Sequence, residues 1–332
     1  MLLLTEEDVK SLLSMKDVMK TLERAFRDYA NGISEVPPRI TIPVPGVLGN
    51  MRILAATRVR SNDSLPPSPS YLGCKVYTGY VGPVFKDLSK PRFVILLYDA
   101  RSGELLSVLA ARWLGLMRTG GAAGLATKYV YKGRGGVAFV VGAGEQAVGQ
   151  VLALNEAIRI DTFYVYARSE EHTKSFCDEM GEMLGKEFIP VRSAQEAVNR
   201  VDLIDTVTNS REPVLKGEWL KDDTSYHINA VGANVENRRE LDDSISSRAV
   251  FIVEHMAQSM QEAGDVIMPL KDGLIEKKYI YELGDIIAGK ASLDNLAKNV
   301  TVFKSIGIGL EDVAVAAFVY EQAIEKGVGI LR

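Results

Sequence analysis

From Val9 to Tyr29 the apolar residues Val9, Leu12, Leu13, Met15, Val18, Met19, Leu22, Ala25, Phe26 and Tyr29 recur at helical spacing. They predict a helix from Thr5, whose Thr5-Glu6-Glu7-Asp8 start resembles a capping box, to an end near Asn31-Gly32. Pro37, Pro38, Pro43 and Pro45 then exclude helix, and the period changes to two. Arg39–Val44, Met51–Val59, Leu72–Tyr80, Phe93–Asp99 and Leu105–Leu109 read as strands, separated by turn-rich stretches such as residues 61–69 and by a hairpin turn at Ala100-Arg101-Ser102-Gly103. Strands in series predict an antiparallel sheet.

Beyond residue 135 the pattern changes again. Gly136–Val141 is continuously apolar, as a strand covered on both faces of a parallel sheet must be. Strand-like Thr162–Tyr166, Phe188–Val191, Leu203–Val207, Tyr226–Val231 and Ala249–Val253 follow, with helical Glu170–Leu184 and Ala194–Val201 between them. This alternation predicts an α/β doubly wound sheet of the Rossmann type, joined to a smaller α+β domain built on the antiparallel sheet. A final helix-rich segment, Ser305 to about Lys326, is expected to pack back on the N-terminal domain.

The glycine turn after Val141 gives the parallel sheet a chemistry. Gly142-x-Gly144-x-x-Ala147 directly follows a buried strand and opens a helix, which is the context a dinucleotide fingerprint requires. Gly142 permits the tight turn, Gly144 lets backbone approach a pyrophosphate, and Ala147 allows close helix–strand packing. Thr208, Asn229 and Val231 fall near carboxyl ends of later strands, where ligands bind in such sheets. The second strand ends Tyr166-Ala167-Arg168-Ser169 with no carboxylate at its tip. A cation and a hydroxyl there favour a ribose 2′-phosphate, hence NADP(H), with NAD(H) as the alternative; Glu170 and Glu171 soften that preference.

Before the fingerprint, Arg112–Tyr129 carries Arg118-Thr119 followed by the small residues Gly120–Ala126. Three glycines cost a helix roughly 1 kcal/mol each against alanine, so a close packing seam is expected, with Arg118 and Thr119 read at a helix start where they would hold a phosphate or carboxylate.

Composition narrows the function classes. The chain has 332 residues, 47% hydrophobic and 25% charged, and a formal charge of −4, so it offers no basic footprint for nucleic acid. The N-terminus lacks the basic and long apolar regions of a signal peptide, and no apolar stretch approaches a membrane span. Cys74 and Cys177 are far apart, which fits a reducing, cytoplasmic setting. His172, His227 and His255 lack metal-ligand spacing; no metal is expected, and His227 is read as a structural residue.

Laid in order, Arg118-Thr119, Gly142-Ala143-Gly144-Glu145-Gln146-Ala147 and His227–Asn234 resemble the ornithine cyclodeaminase/mu-crystallin family. The resemblance continues through Arg238–Asp243, Gly264-Asp265, Glu282-Leu283-Gly284, Val302–Gly307 and Glu311-Asp312, nearly the whole chain. It implies a homodimer, with residues 1–125 plus 305–332 forming a substrate and dimerisation domain and residues 126–304 a Rossmann domain. It also implies hydride transfer between a nicotinamide and a small amino or imino acid. Arg39, Lys75 and Arg118 would clamp the substrate carboxylate, with Ile306 beside the substrate and Lys75 as proton donor. Glu145, Gln146, Ala167, Arg238 and Ser305 would join the cofactor site, to which Arg118 and Thr119 also reach. At the position of the family's nicotinamide-ribose threonine this chain carries Lys90, beside Ser89.

Cyclodeaminases of the family, and some of its alanine dehydrogenases, place an aspartate acid/base where this chain has Asn234, and an amide cannot take up a proton at working pH. Reduction of a preformed ketimine such as pyrroline-2-carboxylate, or an amino-acid (alanine) dehydrogenase activity, is therefore favoured. Ornithine cyclodeaminase and a non-catalytic, mu-crystallin-like ligand-binding protein stand as alternatives.

Overall fold

The computed structural model describes residues 1–46, 49–58, 69–80, 92–294 and 298–332, Tyr80 by its backbone alone. Residues 61–68 of the proline-rich stretch, and Ser89 and Lys90, lie outside the described residues. The chain divides into two compact units, Met1–Arg118 with Gly307–Arg332, and Thr119–Ile306.

The first unit opens with β1 (Leu2–Leu4), α1 (Glu6–Leu12) and α2 (Met15–Ala30). The sequence pattern predicts one helix here and the structure has two. Leu13 is extended and Ser14 starts a new N-cap, its hydroxyl accepting from the Asp17 N–H at 3.2 Å, so a local side-chain bond wins over continued periodicity. The Thr5 capping box is present, with Asp8 N–H donating to Thr5 Oγ1 at 3.2 Å and Thr5 N–H donating to the Asp8 carboxylate at 2.9 Å. Strands β2 (Ile40–Pro43), β3 (Gly49–Arg58), β4 (Tyr71–Tyr80), β5 (Arg92–Asp99) and β6 (Leu105–Ala110) pair antiparallel in series, and β1 joins β6 in parallel. Alternation sets the two faces: Leu54, Ala56, Tyr71, Lys75, Ile95 and Leu97 are buried on one.

Helix α3 (Arg112–Val130) then carries the chain into the second unit. Arg118 and Thr119 therefore sit in mid-helix and not at a helix start. The division between the two compact units falls at Arg118–Thr119. The physical reason lies in the small residues: a Cβ on Gly120 would come within 2.1 Å of the Gly149 carbonyl oxygen, so this half of the helix packs backbone to backbone within the second unit.

The second unit comprises β7 (Gly136–Val141), α4 (Glu145–Ala157), β8 (Ile160–Tyr166), α5 (Glu170–Leu184), β9 (Glu187–Pro190), α6 (Ala194–Val198), β10 (Leu203–Thr206) and β11 (Tyr226–Ala230). It continues with α7 (Asp243–Arg248), β12 (Ala249–Val253), α8 (Met256–Glu262), α9 (Gly264–Lys271), β13 (Ile280–Glu282), α10 (Leu283–Ile287) and β14 (Val300–Lys304). All eight strands are parallel, in the order β13-β12-β14-β11-β10-β7-β8-β9, so β9-β8-β7-β10-β11 has the 3-2-1-4-5 order of a Rossmann sheet. Two apolar clusters cover it, one centred on Phe139, Ile228, Phe251 and Val302, the other on Ala138, Val151, Phe163 and Met180.

The chain ends in the first unit with α11 (Gly309–Lys326) and β15 (Ile330–Leu331), the latter antiparallel to β1. The predicted helical segment begins four residues later than Ser305, because residues 305–308 are irregular. Val313, Ala314, Ala316 and Ala317 of α11 are fully buried. A Cβ on Gly309 would meet the Ala55 carbonyl oxygen at 2.2 Å, so the helix start lies directly on β3.

Candidate active site

The second unit presents the glycine turn as a ready cradle. Gly142 has φ +120°, which disfavours any side chain, and a Cβ there would meet the Val207 carbonyl oxygen at 2.6 Å. A Cβ at Gly144 would meet nothing within 4 Å, so open space lies over the backbone at the N-cap of α4. Ala147 is fully buried against the sheet, while Glu145 and Gln146 are exposed in the first turn. The free N–H groups of this helix start fit a pyrophosphate. Gly142 N–H donates to the Tyr166 carbonyl at 2.7 Å, which fixes the turn beside the tip of β8. At that tip Ala167 is half-buried, Arg168 and Ser169 are exposed, and the Ser169 hydroxyl caps α5 by accepting from His172 N–H at 3.2 Å. No carboxylate stands at residues 167–169; Glu170 and Glu171 lie in the first turn of α5.

The remaining residues of this unit gather at the carboxyl ends of β10, β11, β14 and β12. One carboxylate organises them. Glu240, fully buried, accepts from Thr206 Oγ1 (3.0 Å), Thr208 N–H (2.7 Å), Thr208 Oγ1 (2.8 Å) and Gly232 N–H (2.7 Å), tying the loops after β10 and β11 together. Burial pushes its carboxyl up, and the Lys304 charge and the Thr208 bonds pull it down. Val231 is buried at the end of β11, and Asn234 is half-buried in the loop beyond. Ser305 Oγ donates to Glu254 at 2.7 Å and Ile306 N–H to the same carboxylate at 2.9 Å, which holds both beside the tip of β12. Arg238 is half-buried in the loop that packs on Gly264.

Asn229, expected near a ligand, lies next to the carboxyl end of β11. Its side chain is fully buried, and its amide nitrogen donates to Thr127 at 2.9 Å and to Asp205 at 2.7 Å. Burial raises the Asp205 carboxyl to about 8. His227 is likewise internal, its Nδ1 2.9 Å from Thr301 Oγ1, and burial pulls its pKa down to about 3.

The first unit assembles the cations. Lys75, on the buried face of β4 and 2% exposed, has Nζ 2.9 and 2.8 Å from the two carboxylate oxygens of Asp312. Arg118 pairs through Nη1 with Glu311 at 2.7 Å and through Nε with Asp312 at 3.0 Å. Arg39 donates from Nη2 to the Gly307 carbonyl at 2.9 Å, and Gly307, at φ +71°, leaves no room for a Cβ, which would lie 2.3 Å from Arg118 Nη1. The three cations therefore converge, separated by two buried carboxylates. Burial pulls the Lys75 amine down to about 8; Arg118 and Arg39 push the same way, and Asp312 opposes them. Three converging cations suit an anionic ligand.

Sequence reasoning missed Asp312 and Glu311 as partners, and also Arg52, Tyr77 and Phe93, which stand on the Lys75 face of the sheet. Period two along β4 is the signal that pairs residue 77 with residue 75. Among the described residues no group of three or more His, Cys, Asp or Glu could hold a metal ion.

A parallel 3-2-1-4-5 sheet with a glycine cradle at the β7 tip defines a dinucleotide-binding protein, here with a separate buried cationic cluster in its other unit. The chain belongs to the ornithine cyclodeaminase/mu-crystallin family, which it matches over residues 1–327. It is similar to the Δ1-pyrroline-2-carboxylate reductase of Thermococcus litoralis, whose structure was solved with NADH and L-proline: 35% identity, 100% of each chain covered, TM-score 0.90. It is 32% identical over 332 residues to the alanine dehydrogenase of Archaeoglobus fulgidus, covering 99% of this chain and 97% of that protein. It is 31% identical over 333 residues to a Δ1-pyrroline-2-carboxylate reductase of Bacillus cereus, covering 99% of this chain and 98% of that protein.

Proposed function

We propose that this protein is an NAD(P)H-dependent reductase of a small ketimine or imino acid, of the pyrroline-2-carboxylate type. The observation that carries the reading is the buried Lys75 ammonium, held by Asp312 next to Arg118 and Arg39. When bound, the nicotinamide supplies the hydride. Gly142, Gly144 and Ala147, with the start of α4, would hold its pyrophosphate, and Thr208, Val231, Arg238 and Ser305 the remainder.

The chain's own residues do the rest. Arg39 and Arg118 neutralise the substrate carboxylate, and their own partners fix them before substrate arrives, which lowers the entropic cost of alignment. Lys75, with its amine poised near neutrality, keeps the imine nitrogen protonated so that its carbon is electrophilic. Asn234 donates or accepts a hydrogen bond but takes up no proton, which argues against stripping an α-ammonium and hence against cyclodeamination.

The same proposal prefers NADP(H) over NAD(H), supported by Arg168 and Ser169 and by the absence of a carboxylate at the tip of β8. It also includes a homodimer. Ile40, Ile42, Leu72 and Val94, on the face of the antiparallel sheet opposite Lys75, are 55%, 43%, 44% and 38% exposed, and Ile53, Val76 and Leu96 beside them are half-exposed. A continuous apolar sheet face of this kind is what an interface covers.

The test is direct. Purified protein given pyrroline-2-carboxylate and NADPH is expected to consume cofactor in a one-to-one ratio with proline formed. Release of ammonia from ornithine with catalytic NAD, without net change in reduced cofactor, would overturn the reading.

A further inference from the structure

On the buried face of the sheet, the row next to Lys75 consists of Arg52, Tyr77 and Phe93, which stand opposite one another on β3, β4 and β5. The two rings lie 5.0 Å apart, tilted by 39°. Lys75 Nζ is 5.7 Å from the Tyr77 ring centre and 5.9 Å from that of Phe93. Arg52 also holds Tyr77, its guanidinium 6.0 Å from the ring centre and its Nη1 donating to the hydroxyl at 3.2 Å.

The contacts of α11 with this face run from Lys75 toward Tyr71. The helix touches Lys75 through Asp312 near its start, then Gly73 through Val313, then Tyr71 through Tyr320 and Glu321. It runs away from Tyr77, so both rings stay half-exposed although they adjoin a side chain that is 2% exposed. Half-exposed aromatic faces beside a buried ammonium, with Arg118 and its two buried carboxylates beyond it, form a shelf, not a packed core.

We infer that Tyr77 and Phe93 are specificity-determining residues, the wall on which the ring of a cyclic ketimine carboxylate lies, and that the protein takes such rings ahead of open-chain imino acids. This rests on the reductase reading and names its substrate class. A five- or six-membered cyclic ketimine is near-planar, carries its positive charge in a protonated C=N bond, and extends several methylene groups beyond it. Planar apolar surface stacks on aromatic faces, and the iminium charge gains from the same π-electrons. The imine of pyruvate and ammonia offers one methyl group instead, so it gains little from the wall.

The experiment compares kcat/KM for pyrroline-2-carboxylate with that for pyruvate plus ammonia, using the same reduced cofactor, in wild type and in Tyr77→Ala, Phe93→Ala, Tyr77→Leu, Phe93→Leu and Tyr77→Phe. The Ala and Leu variants are expected to lower the ratio of cyclic to open-chain kcat/KM by roughly tenfold or more, mainly through KM for the ring. Tyr77→Phe, which keeps the π-face, should hold the ratio within about threefold of wild type. The Leu variants keep bulk, so they report even if the Ala variants fail to fold. An unchanged ratio in folded Ala or Leu variants, in an active enzyme, overturns the inference alone. A wild type that reduces neither imine with either cofactor overturns the parent reading as well.

Discussion

At the scale of single residues, the chemistry turns on how Lys75 keeps its proton. Its amine ordinarily titrates near 10.5 and is pulled to about 8 by burial first, then by Arg118, while Asp312 raises it. As a proton donor in reduction it must be charged, so kcat/KM is expected to fall tenfold per pH unit above about pH 8. Asp312→Asn removes the group that raises the pKa, and this falling limb should move to lower pH in a pH–rate profile; a limb that stays in place would dissociate Asp312 from Lys75. Stability runs the other way. The folded pKa lies below the unfolded one, so the unfolded chain binds more protons between about pH 8 and 10.5, and this group's contribution to stability rises with pH across that window. Of this cluster the sequence revealed only the cations, and those through family resemblance, because a lone Arg or Lys carries no local mark of burial. The carboxylate partners were not legible: Lys75 and Asp312 are 237 positions apart, and no periodicity joins them.

Among the elements, α3 shows two effects of opposite sign on one residue. Helix propensity alone says that Gly120→Ala stabilises by about 1 kcal/mol. The added Cβ, however, would stand 2.1 Å from the Gly149 carbonyl oxygen, a backbone atom that cannot swing aside. Overpacking of this kind costs typically about 1–3 kcal/mol, so packing wins and the variant is expected to be less stable by about 1–2 kcal/mol net. Urea denaturation measures it, and a midpoint at or above wild type would contradict the packing argument. That a seam existed was readable from Gly120–Ala126, since unexplained glycines in a helix need an offsetting contact; that Arg118 and Thr119 sat in mid-helix was not, because the helix start at Arg112 carries no capping residue signal. The same contrast recurs elsewhere. The strand–turn–helix at Gly142 is local in sequence and was legible, whereas β14, inserted between β11 and β12, and β15, paired with β1, depend on long-range pairing. Ser14 shows the reverse failure, where one hydroxyl breaks a periodic run that reads as continuous.

For the whole molecule, the antiparallel sheet raises the question of what covers its second face. Alternation in β2 through β5 was readable, and it allowed apolar residues on both faces, but only the structure separates them: α11 packs on the Lys75 face, and Ile40, Ile42, Leu72 and Val94 on the other face are exposed. Isolated exposed leucines or isoleucines are ordinary, yet these four share one face with Ile53, Val76 and Leu96 across four paired strands. Covering this face on two copies would remove its apolar side chains from water, which favours association. Wild type is therefore expected to sediment as a dimer at micromolar concentration. Val94→Asp places a charge at the centre of the face without touching Lys75, Arg118 or the glycine turn, because strand alternation points it the other way. It should shift the sedimentation coefficient to the monomer value while the circular dichroism spectrum stays native. A wild type that sediments as a monomer, or a Val94→Asp protein that remains a dimer, would mean that this sheet face is not the contact between copies.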